Sequence, residues 1–171
     1  MKLPNLVAQA RLDSPLGPLT AAATADGLAG LWFDGQAHHP GSLSAPIDPG
    51  NRHIAQARTE LQQYWAGRTQ RPFRVALDPQ GTDFQQRVWG ALRRIAAGRV
   101  TSYADVAAAI GAPTAARAVG AAVGRNPLSI IVPCHRVLGH DGSLTGYAGG
   151  LARKQALLAL EREVAAAGVA A

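Results

Sequence analysis

Short apolar runs separated by turn residues dominate the first half of the chain, a pattern typical of β-strands. The dipeptide Asp26-Gly27 predicts a hairpin between two of these runs. The predicted strands are, in chain order, 6–12, 19–23, 28–33 and 74–78.

Between these strands lie a loop and a helix. Residues 34–51 are rich in Gly, Pro, Ser and Asp and predict a loop. An apolar stripe at spacings of three and four predicts a helix over 53–67. His38 and His39 lie in the loop without carboxylate or thiol neighbours, so we expect solvated side chains rather than metal ligands.

The second half of the chain carries helix start signals. Thr82 with Gln85, and Ser102 with Asp105, form capping-box patterns. An apolar run at 129–132 predicts a buried strand. The predicted helices are 83–97, 103–110, 114–123 and 151–166, and a glycine-rich loop spans 142–150. The chain is thus predicted to be α+β, with a linker at 79–81 between domains 1–79 and 80–171.

Helices 103–110 and 114–123, joined by a short turn containing Gly111, are typical of a helix-turn-helix. The second helix consists almost entirely of small residues, with Arg117 as its one long side chain. A helix that reads sequence normally offers several long polar side chains to the bases. Two interpretations stay open: close approach to a nucleic-acid groove with Arg117 as a probe, or tight packing against other helices.

The charge balance is basic. Seventeen Lys and Arg oppose eleven Asp and Glu, giving a net charge of +6 and a pI of about 10.4. All but Lys2 and Lys154 of these cations are arginines, which bind phosphates bidentately. The charge indicates a polyanionic partner, although many basic proteins bind no nucleic acid.

The most informative residue is Cys134, the only cysteine. A lone thiol forms neither an intramolecular disulfide nor a multi-thiolate metal site. Such residues are usually buried hydrophobes. Here, however, Pro133 precedes the thiol, and His135 and Arg136 follow it with local positive charge, which favours a nucleophilic thiolate.

His135 can deprotonate Cys134 only with the help of other groups. Adjacent residues in an extended segment point to opposite faces, so we expect a proton path from Cys134 to His135 through water. Glu161 is the candidate for the carboxylate that fixes the histidine tautomer; the alternative is an exposed helix charge. Asn126, directly before Pro127, indicates a turn, and its side chain can tie down backbone groups of that turn.

The sequence also favours a location. The apolar run at the N-terminus is too short for a signal peptide, and no run of 18 apolar residues occurs. We therefore expect a cytoplasmic protein without a membrane partner.

Taken in order, the motifs of the second half resemble those of the O6-alkylguanine-DNA alkyltransferases, also called methylated-DNA–protein-cysteine methyltransferases. Across about 82–161 they appear in the family's order, and 13–19 resembles its first hairpin. The matching segments are Thr101-Ser102-Tyr103, Ala116-Arg117-Ala118-Val119-Gly120, Asn126-Pro127, Pro133-Cys134-His135-Arg136-Val137, Tyr147-Ala148-Gly149-Gly150-Leu151 and Leu157-Leu158-Ala159-Leu160-Glu161.

The resemblance implies a fold and a reaction. The fold is a ribonuclease-H-like α/β unit followed by a mostly helical, winged helix-turn-helix-like domain. The reaction is stoichiometric transfer of an alkyl group from O6 of a flipped-out guanine, and also from O4 of thymine, to Cys134. His135, held by Glu161, would deprotonate Cys134 through water, and Asn126 would brace the turn between the recognition helix and the active-site strand.

Roles on DNA follow from the same resemblance. Arg117 would fill the gap left in the base stack, and Tyr103 would rotate the nucleotide and protonate N3 of the leaving guanine. Ala148 departs from the Ser of many relatives, with little loss expected because the contact there is through the backbone. The remaining implied DNA contacts are Thr101, Ser102, Ala116, Ala118 and Arg136, and the implied pocket residues are Val137, Tyr147, Ala148 and Gly149.

The implied partner is duplex DNA containing alkylated bases. We expect a monomer without an obligate protein partner, and cooperative clustering on DNA stays open. No cofactor is expected, and no metal, because the cysteines that bind zinc near the N-terminus of some relatives are missing.

Three other interpretations compete. A regulator that uses only the helix-turn-helix conflicts with the bare second helix. A cysteine hydrolase conflicts with the sequence adjacency of Cys134 and His135 and with the lack of an oxyanion motif. A sensor that binds lesions without reacting would be expected to lack the cysteine.

Overall fold

The computed structural model describes residues 5–169, and the chain divides into two compact units. The first unit runs to Gln80 and also includes Pro127–Ser129. The second comprises Gly81–Asn126 and the chain from Ile130 onward. Residues 127–129 thus belong to the first unit, although the sequence predicts a single boundary near residue 80. Among residues 5–169, no helix is both long and apolar enough to cross a membrane.

The first unit is built on a three-stranded antiparallel sheet. Its strands pair in the order β1-β2-β3, and the first hairpin closes with Leu12 opposite Leu19. Gly30 has a packing role, because a Cβ there would overlap the buried Trp32 indole. The strands, all of them predicted, are β1 Ala8–Leu12, β2 Leu19–Ala23 and β3 Leu28–Phe33.

The predicted helix is α1, Arg52–Trp65, which packs on this sheet. Asn51 caps it by accepting hydrogen bonds from the backbone N–H groups of His53 and Ile54. The apolar stripe is buried as predicted, with Ile54, Ala57, Leu61 and Tyr64 facing inward.

The predicted strand at 74–78 is wrong. This segment makes only one parallel bridge, Leu28 to Leu77. The Glu60 carboxylate of α1 accepts the backbone N–H groups of Arg74 and Val75. These two groups therefore do not need a neighbouring strand as their hydrogen-bond partner.

The short segment 127–129 joins the first unit at β3. Leu31 N–H donates to the Pro127 carbonyl, and Ser129 N–H donates to the Leu31 carbonyl. The Ser129 hydroxyl donates to Oε1 of Gln36 at 3.0 Å.

The second unit is mostly helical. Its helices are α2 Asp83–Leu92, α3 Tyr103–Ala109, α4 Ala116–Gly124 and α5 Leu151–Val169. Both predicted capping boxes are present, with Thr82 and Ser102 as N-caps. Two short strands, β4 Thr101–Ser102 and β5 Val137–Leu138, pair in parallel.

Helix α2 ends earlier than predicted, at Leu92 rather than before Gly98. The backbone tightens there, because Arg94 N–H bonds to the Ala91 carbonyl and Ile95 N–H to the Leu92 carbonyl. Gly98 follows with φ of 76°, a conformation that favours glycine.

Candidate active site

Cys134 lies at the start of a 3₁₀ turn, Cys134–Arg136, that leads directly into β5. The side chain is only 5% exposed. The segment before it, 129–132, is buried but consists of turns, so the predicted strand is wrong. A continuous apolar run fixes burial without fixing the backbone period.

The backbone before Cys134 is strained at Ile130. Its φ of 73° places a buried, β-branched residue in the left-handed region. Such a conformation costs on the order of 1–3 kcal/mol and persists only where surrounding contacts enforce it.

Asn126 connects this turn to the thiol. Its Nδ2 donates to the Val132 carbonyl at 2.8 Å and lies 3.0 Å from Sγ of Cys134. The asparagine is buried, and the Cys134 N–H bonds to the same Val132 carbonyl. One amide group therefore restrains both the backbone of the turn and the position of the sulfur.

His135 and Glu161 form the central charged pair of the site. Nε2 of His135 lies 2.9 Å from Oε1 of Glu161, and neither side chain is exposed. Burial opposes ionisation of the carboxyl, but hydrogen bonds from His135 and Arg136 outweigh it and hold the pKa of Glu161 far below its usual range. An ionised carboxylate only accepts hydrogen bonds, so the proton of neutral His135 is assigned to Nε2.

The other nitrogen of this ring is therefore the basic one. Nδ1 of His135 is buried and has no hydrogen-bond partner among the described residues. Burial lowers the pKa of His135 below its ordinary value despite the neighbouring carboxylate. The arrangement provides a neutral, correctly oriented imidazole that can accept a proton.

The thiol is protonated at rest. Burial raises the pKa of Cys134 above its ordinary value, while the Asn126 hydrogen bond and the positive charge of Lys154 act in the opposite direction. Because a buried thiol is a poor nucleophile, the site needs a base when it reacts. No described hydrogen bond joins Sγ of Cys134 to the His135 ring, which agrees with an indirect proton path.

Arg136 was expected to contact DNA, but its side chain is buried and paired with Glu161. Its Nη2 lies 2.7 Å from Oε1 of Glu161, and its Nε lies 2.9 Å from Oε2. Nη1 donates to the Ile95 carbonyl, and the side chain is buried. The reason is that the buried Glu161 carboxylate needs a counter-ion, and the guanidinium of Arg136 pairs with it in the interior.

The same carboxylate also binds Gly98. The backbone N–H of Gly98 donates to Oε2 of Glu161 at 3.1 Å. A Cβ at residue 98 would lie 3.1 Å from the Cβ of Ala165, so glycine permits this approach to α5. Gly98 had been interpreted only as the end of a helix.

Lys154 is the main residue of the site that the sequence analysis did not single out. The side chain is fully buried, and Nζ donates to the carbonyls of Val137 and Thr145 at 2.6 and 2.7 Å. A signal existed in the sequence: Lys154 precedes Leu157, Leu158 and Glu161 by three, four and seven residues, so it shares their helix face.

The other residues predicted to contact DNA lie on β4, α3 and α4. Strand β4 places Thr101 opposite Val137 and Ser102 opposite Leu138, one residue before Tyr103 begins α3. A Cβ at Gly120 of α4 would lie 3.7 Å from the Tyr103 ring. No described hydrogen bond joins Tyr103 to Cys134.

Arg117 is exposed near the start of α4, and no described residue pairs with its guanidinium. Its neighbour Ala118 is exposed, and Ala116 is half-buried. The buried face of the helix consists of Val119, Ala122 and Val123. Small residues thus serve packing on one face and leave Arg117 to project from the other.

The predicted pocket residues lie in two segments, with Val137 in β5 directly after the turn of Cys134 and the others in the glycine-rich loop. Val137 and Gly149 are buried, whereas Tyr147 and Ala148 are half-buried. The predicted glycine-rich loop is present, since residues 139–150 contain no helix or strand. Within residues 5–169, no group of three His, Cys, Asp or Glu side chains could hold a metal ion.

Comparison with known families matches both halves of the chain. Residues 7–79 match the model of the ribonuclease-like domain of 6-O-methylguanine DNA methyltransferase. Residues 83–163 match the model of the DNA-binding domain of the same protein.

Individual proteins are similar over nearly the whole chain. A Mycobacterium tuberculosis protein named methylated-DNA–protein-cysteine methyltransferase is 51% identical over 156 residues, which cover 91% of this chain and 93% of that protein. A Bacillus subtilis protein of the same name, called constitutive, is 43% identical over 157 residues, covering 88% and 92%.

A solved structure is similar as well. The crystal structure of Mycobacterium tuberculosis OGT in complex with DNA superposes with a TM-score of 0.84 at 49% identity, covering 92% of this chain and 94% of that one. Together with the domain matches and the buried Cys-His-Glu arrangement, this similarity establishes that the chain belongs to the 6-O-methylguanine DNA methyltransferases, that is, the methylated-DNA–protein-cysteine methyltransferases.

Proposed function

We propose that this protein repairs alkylated DNA by transferring the alkyl group from O6 of guanine, and also from O4 of thymine, to Cys134. The observation that carries the proposal is the buried arrangement of Asn126, Cys134, His135 and Glu161 around the only thiol of the chain. The relatives named above are methyltransferases that act on methylated DNA and a protein cysteine.

The reaction begins with proton transfer. The Cys134 proton passes through water to Nδ1 of His135, the basic nitrogen that has no hydrogen-bond partner among the described residues. Glu161 stabilises the resulting imidazolium, because its carboxylate already accepts the opposite N–H at 2.9 Å.

Alkyl transfer then follows. The sulfur of Cys134 forms a bond to the alkyl carbon as the bond from that carbon to O6 breaks, and the electron pair stays on the guanine. The leaving guanine takes up a proton at N3, donated by the hydroxyl of Tyr103. The proton that His135 took from the thiol returns through water to the Tyr103 phenolate, so both side chains end neutral. The product is a thioether, and the chain contains no second thiol to regenerate the first. Each molecule therefore acts once.

The lesion must leave the duplex to reach a buried sulfur. Base flipping costs a few kcal/mol, and the cost is lowest for damaged pairs. Arg117 supports this step, because it is exposed on a helix of small residues that suits close approach in the minor groove. Basic charge and phosphate contacts then supply affinity without sequence preference.

The protein works on duplex DNA as a monomer, and cooperative clustering of copies on DNA remains part of the hypothesis. Its cytoplasmic location likewise stays a prediction.

Intact-protein mass spectrometry tests the reaction. The protein is mixed with a short duplex carrying one O6-methylguanine, and the peptide containing Cys134 is then mapped. We expect a gain of one methyl group that saturates at about one per protein, as a single nucleophilic thiol requires. A duplex with O4-methylthymine tests the second substrate.

The matched control is Cys134→Ala, which should bind the same duplex and show no mass gain. Transfer that persists in this variant would contradict the assignment of Cys134. Binding of the lesion without any mass gain in the wild type would favour a non-reacting lesion sensor instead.

A further inference from the structure

Lys154 is a buried cation whose position the reaction described so far does not use. Its side chain is fully buried on α5. Nζ donates to the carbonyls of Val137 at 2.6 Å and Thr145 at 2.7 Å, and the Gly146 carbonyl lies 3.5 Å away. Three acceptors match the three N–H donors of an ammonium group, whereas a neutral amine would offer only two.

These three carbonyls belong to two separate pieces of the proposed base pocket. Val137 is the first residue of β5, directly after the 3₁₀ turn of Cys134. Thr145 and Gly146 lie in the loop that leads to Tyr147 and Ala148. One ammonium group thus joins the segment that follows the nucleophile to the loop that would cover the base.

Within residues 5–169, no carboxylate forms an ion pair with Lys154. Lys154 is the charged side chain that acts on Cys134, whereas Glu161, Arg136 and Lys154 act on the neighbouring His135. The Glu161 carboxylate is already paired with His135 and Arg136. Burial lowers the pKa of Lys154 below its ordinary value, and the charge of an ionised Cys134 acts in the opposite direction. The charge of Lys154 in turn favours the ionised form of Cys134.

Helix α5 carries two buried charged residues, Lys154 and Glu161, at different levels along its axis. Lys154 and Glu161 are seven residues apart, which is two helical turns or about 10 Å along the axis. They share one buried face with Leu157 and Leu158 between them. The helix therefore brings a carboxylate to His135 at one level and a cation to the carbonyls of β5 and the pocket loop at another.

We propose, on the basis of the function proposed above, that Lys154 is a positioning residue for alkyl transfer, which fixes the pocket loop to β5 and acts as the counter-ion of the Cys134 thiolate. A buried thiolate is costly without a compensating charge, and Lys154 supplies that charge before the substrate arrives.

The test uses Lys154→Gln, which keeps hydrogen-bond donors and removes the charge, and Lys154→Arg, which keeps the charge and changes the geometry. Arg162→Gln is the control, because it removes an exposed charge from the same helix. Two rates are measured against pH for each protein: alkylation of Cys134 by iodoacetamide, and methyl transfer from a duplex containing O6-methylguanine.

For Lys154→Gln we expect the pH midpoint of iodoacetamide alkylation to rise by about one unit or more, which corresponds to a loss of about tenfold in thiolate at neutral pH. Lys154→Arg should keep the wild-type midpoint but transfer from DNA at least about tenfold more slowly, because a planar guanidinium cannot bind three carbonyls arranged around an ammonium. Arg162→Gln should match the wild type in both rates.

An unchanged midpoint in folded Lys154→Gln would overturn the counter-ion role, and an unchanged transfer rate in Lys154→Arg would overturn the positioning role. If the Gln variant does not fold, Lys154→Met replaces it, since an apolar side chain of similar length avoids burying a new polar group. Iodoacetamide reports on the thiol without DNA. Failure of the wild type to accept methyl from DNA would therefore refute the proposed function, while the midpoints would still decide the role of Lys154.

Discussion

Nδ2 of Asn126 lies 3.0 Å from Sγ of Cys134 and 2.8 Å from the carbonyl oxygen of Val132. The same amide group therefore binds the reactive atom and the turn that presents it. A change at the sulfur and a change in the backbone of this turn are coupled through a single side chain.

Asn126→Ala should lower both stability and thiol reactivity. The buried Val132 carbonyl would lose this donor, at a cost of about 1–3 kcal/mol in the free energy of unfolding. The thiol would lose a hydrogen bond that lowers its pKa, so its alkylation should shift to higher pH. Urea unfolding and the pH dependence of iodoacetamide alkylation measure the two effects.

A double-mutant cycle with Cys134→Ala provides the control for this prediction. The stability losses of Asn126→Ala and Cys134→Ala should not add, because the two side chains are in contact. Strict additivity would show that the sulfur contact contributes nothing.

Acid should destabilise the second unit in two steps. His135 and Glu161 both have folded pKa values below their ordinary values of 6.5 and 4.5. A group with a depressed pKa contributes stability above its ordinary pKa and loses it as the pH falls. Loss from His135 should therefore begin below pH 6.5, and loss from Glu161 below pH 4.5.

Urea unfolding measured from pH 7 to pH 3 checks this prediction, with His135→Gln as the comparison. The variant should be less sensitive to pH between 6.5 and 4.5 than the wild type. An identical slope in both proteins would show that His135 does not carry the first step.

Arg117→Ala should impair base flipping more than duplex binding. The side chain is exposed on α4 and unpaired among the described residues, so it is available to occupy the gap left by a flipped base. Flipping is followed by the fluorescence of a base analogue beside the lesion, and binding by anisotropy with undamaged duplex. The control is Arg125→Ala, an exposed arginine at the other end of the same helix.

Equal losses of flipping and binding in Arg117→Ala would show that this residue only contacts phosphate. A loss of flipping in Arg125→Ala of the same size would show that flipping depends on the total positive charge of this helix rather than on Arg117 itself.

Arg136→Ala should lower stability without changing the salt dependence of DNA binding. Removing one member of a buried ion pair costs about 3–5 kcal/mol, because it leaves Glu161 without that cation. A residue that contacts phosphate would instead reduce the slope of log K against log salt by about one. The comparison of unfolding free energy with this slope therefore separates the two roles.

Arg136→Lys keeps the charge and serves as the matched variant. We expect partial recovery of stability, since lysine cannot reproduce the bidentate contact with Glu161. A changed slope of log K against log salt in either variant would instead support the DNA contact of Arg136 predicted from the sequence.

Most of the local structure and the identity of the candidate nucleophile can be predicted from the sequence alone. Capping boxes at Thr82 and Ser102 placed two helix starts, because both residues needed for each box are close in sequence. Apolar periodicity located α1 and the three strands of the sheet. The lone Cys134, flanked by His135 and Arg136, indicated the nucleophile and led to the family.

The remaining features depend on contacts between groups that are distant in sequence, so they emerge only in the folded chain. The run 129–132 is buried as predicted, yet its turn conformation, with Ile130 at φ of 73°, follows from contacts outside the run. Arg136 was predicted to face DNA, but the buried carboxylate of Glu161, 25 residues later, turns it inward. In the sequence Lys154 is an ordinary helical lysine. Its role depends on three carbonyls, from β5 and the glycine-rich loop, that accept hydrogen bonds from its ammonium group in the folded chain.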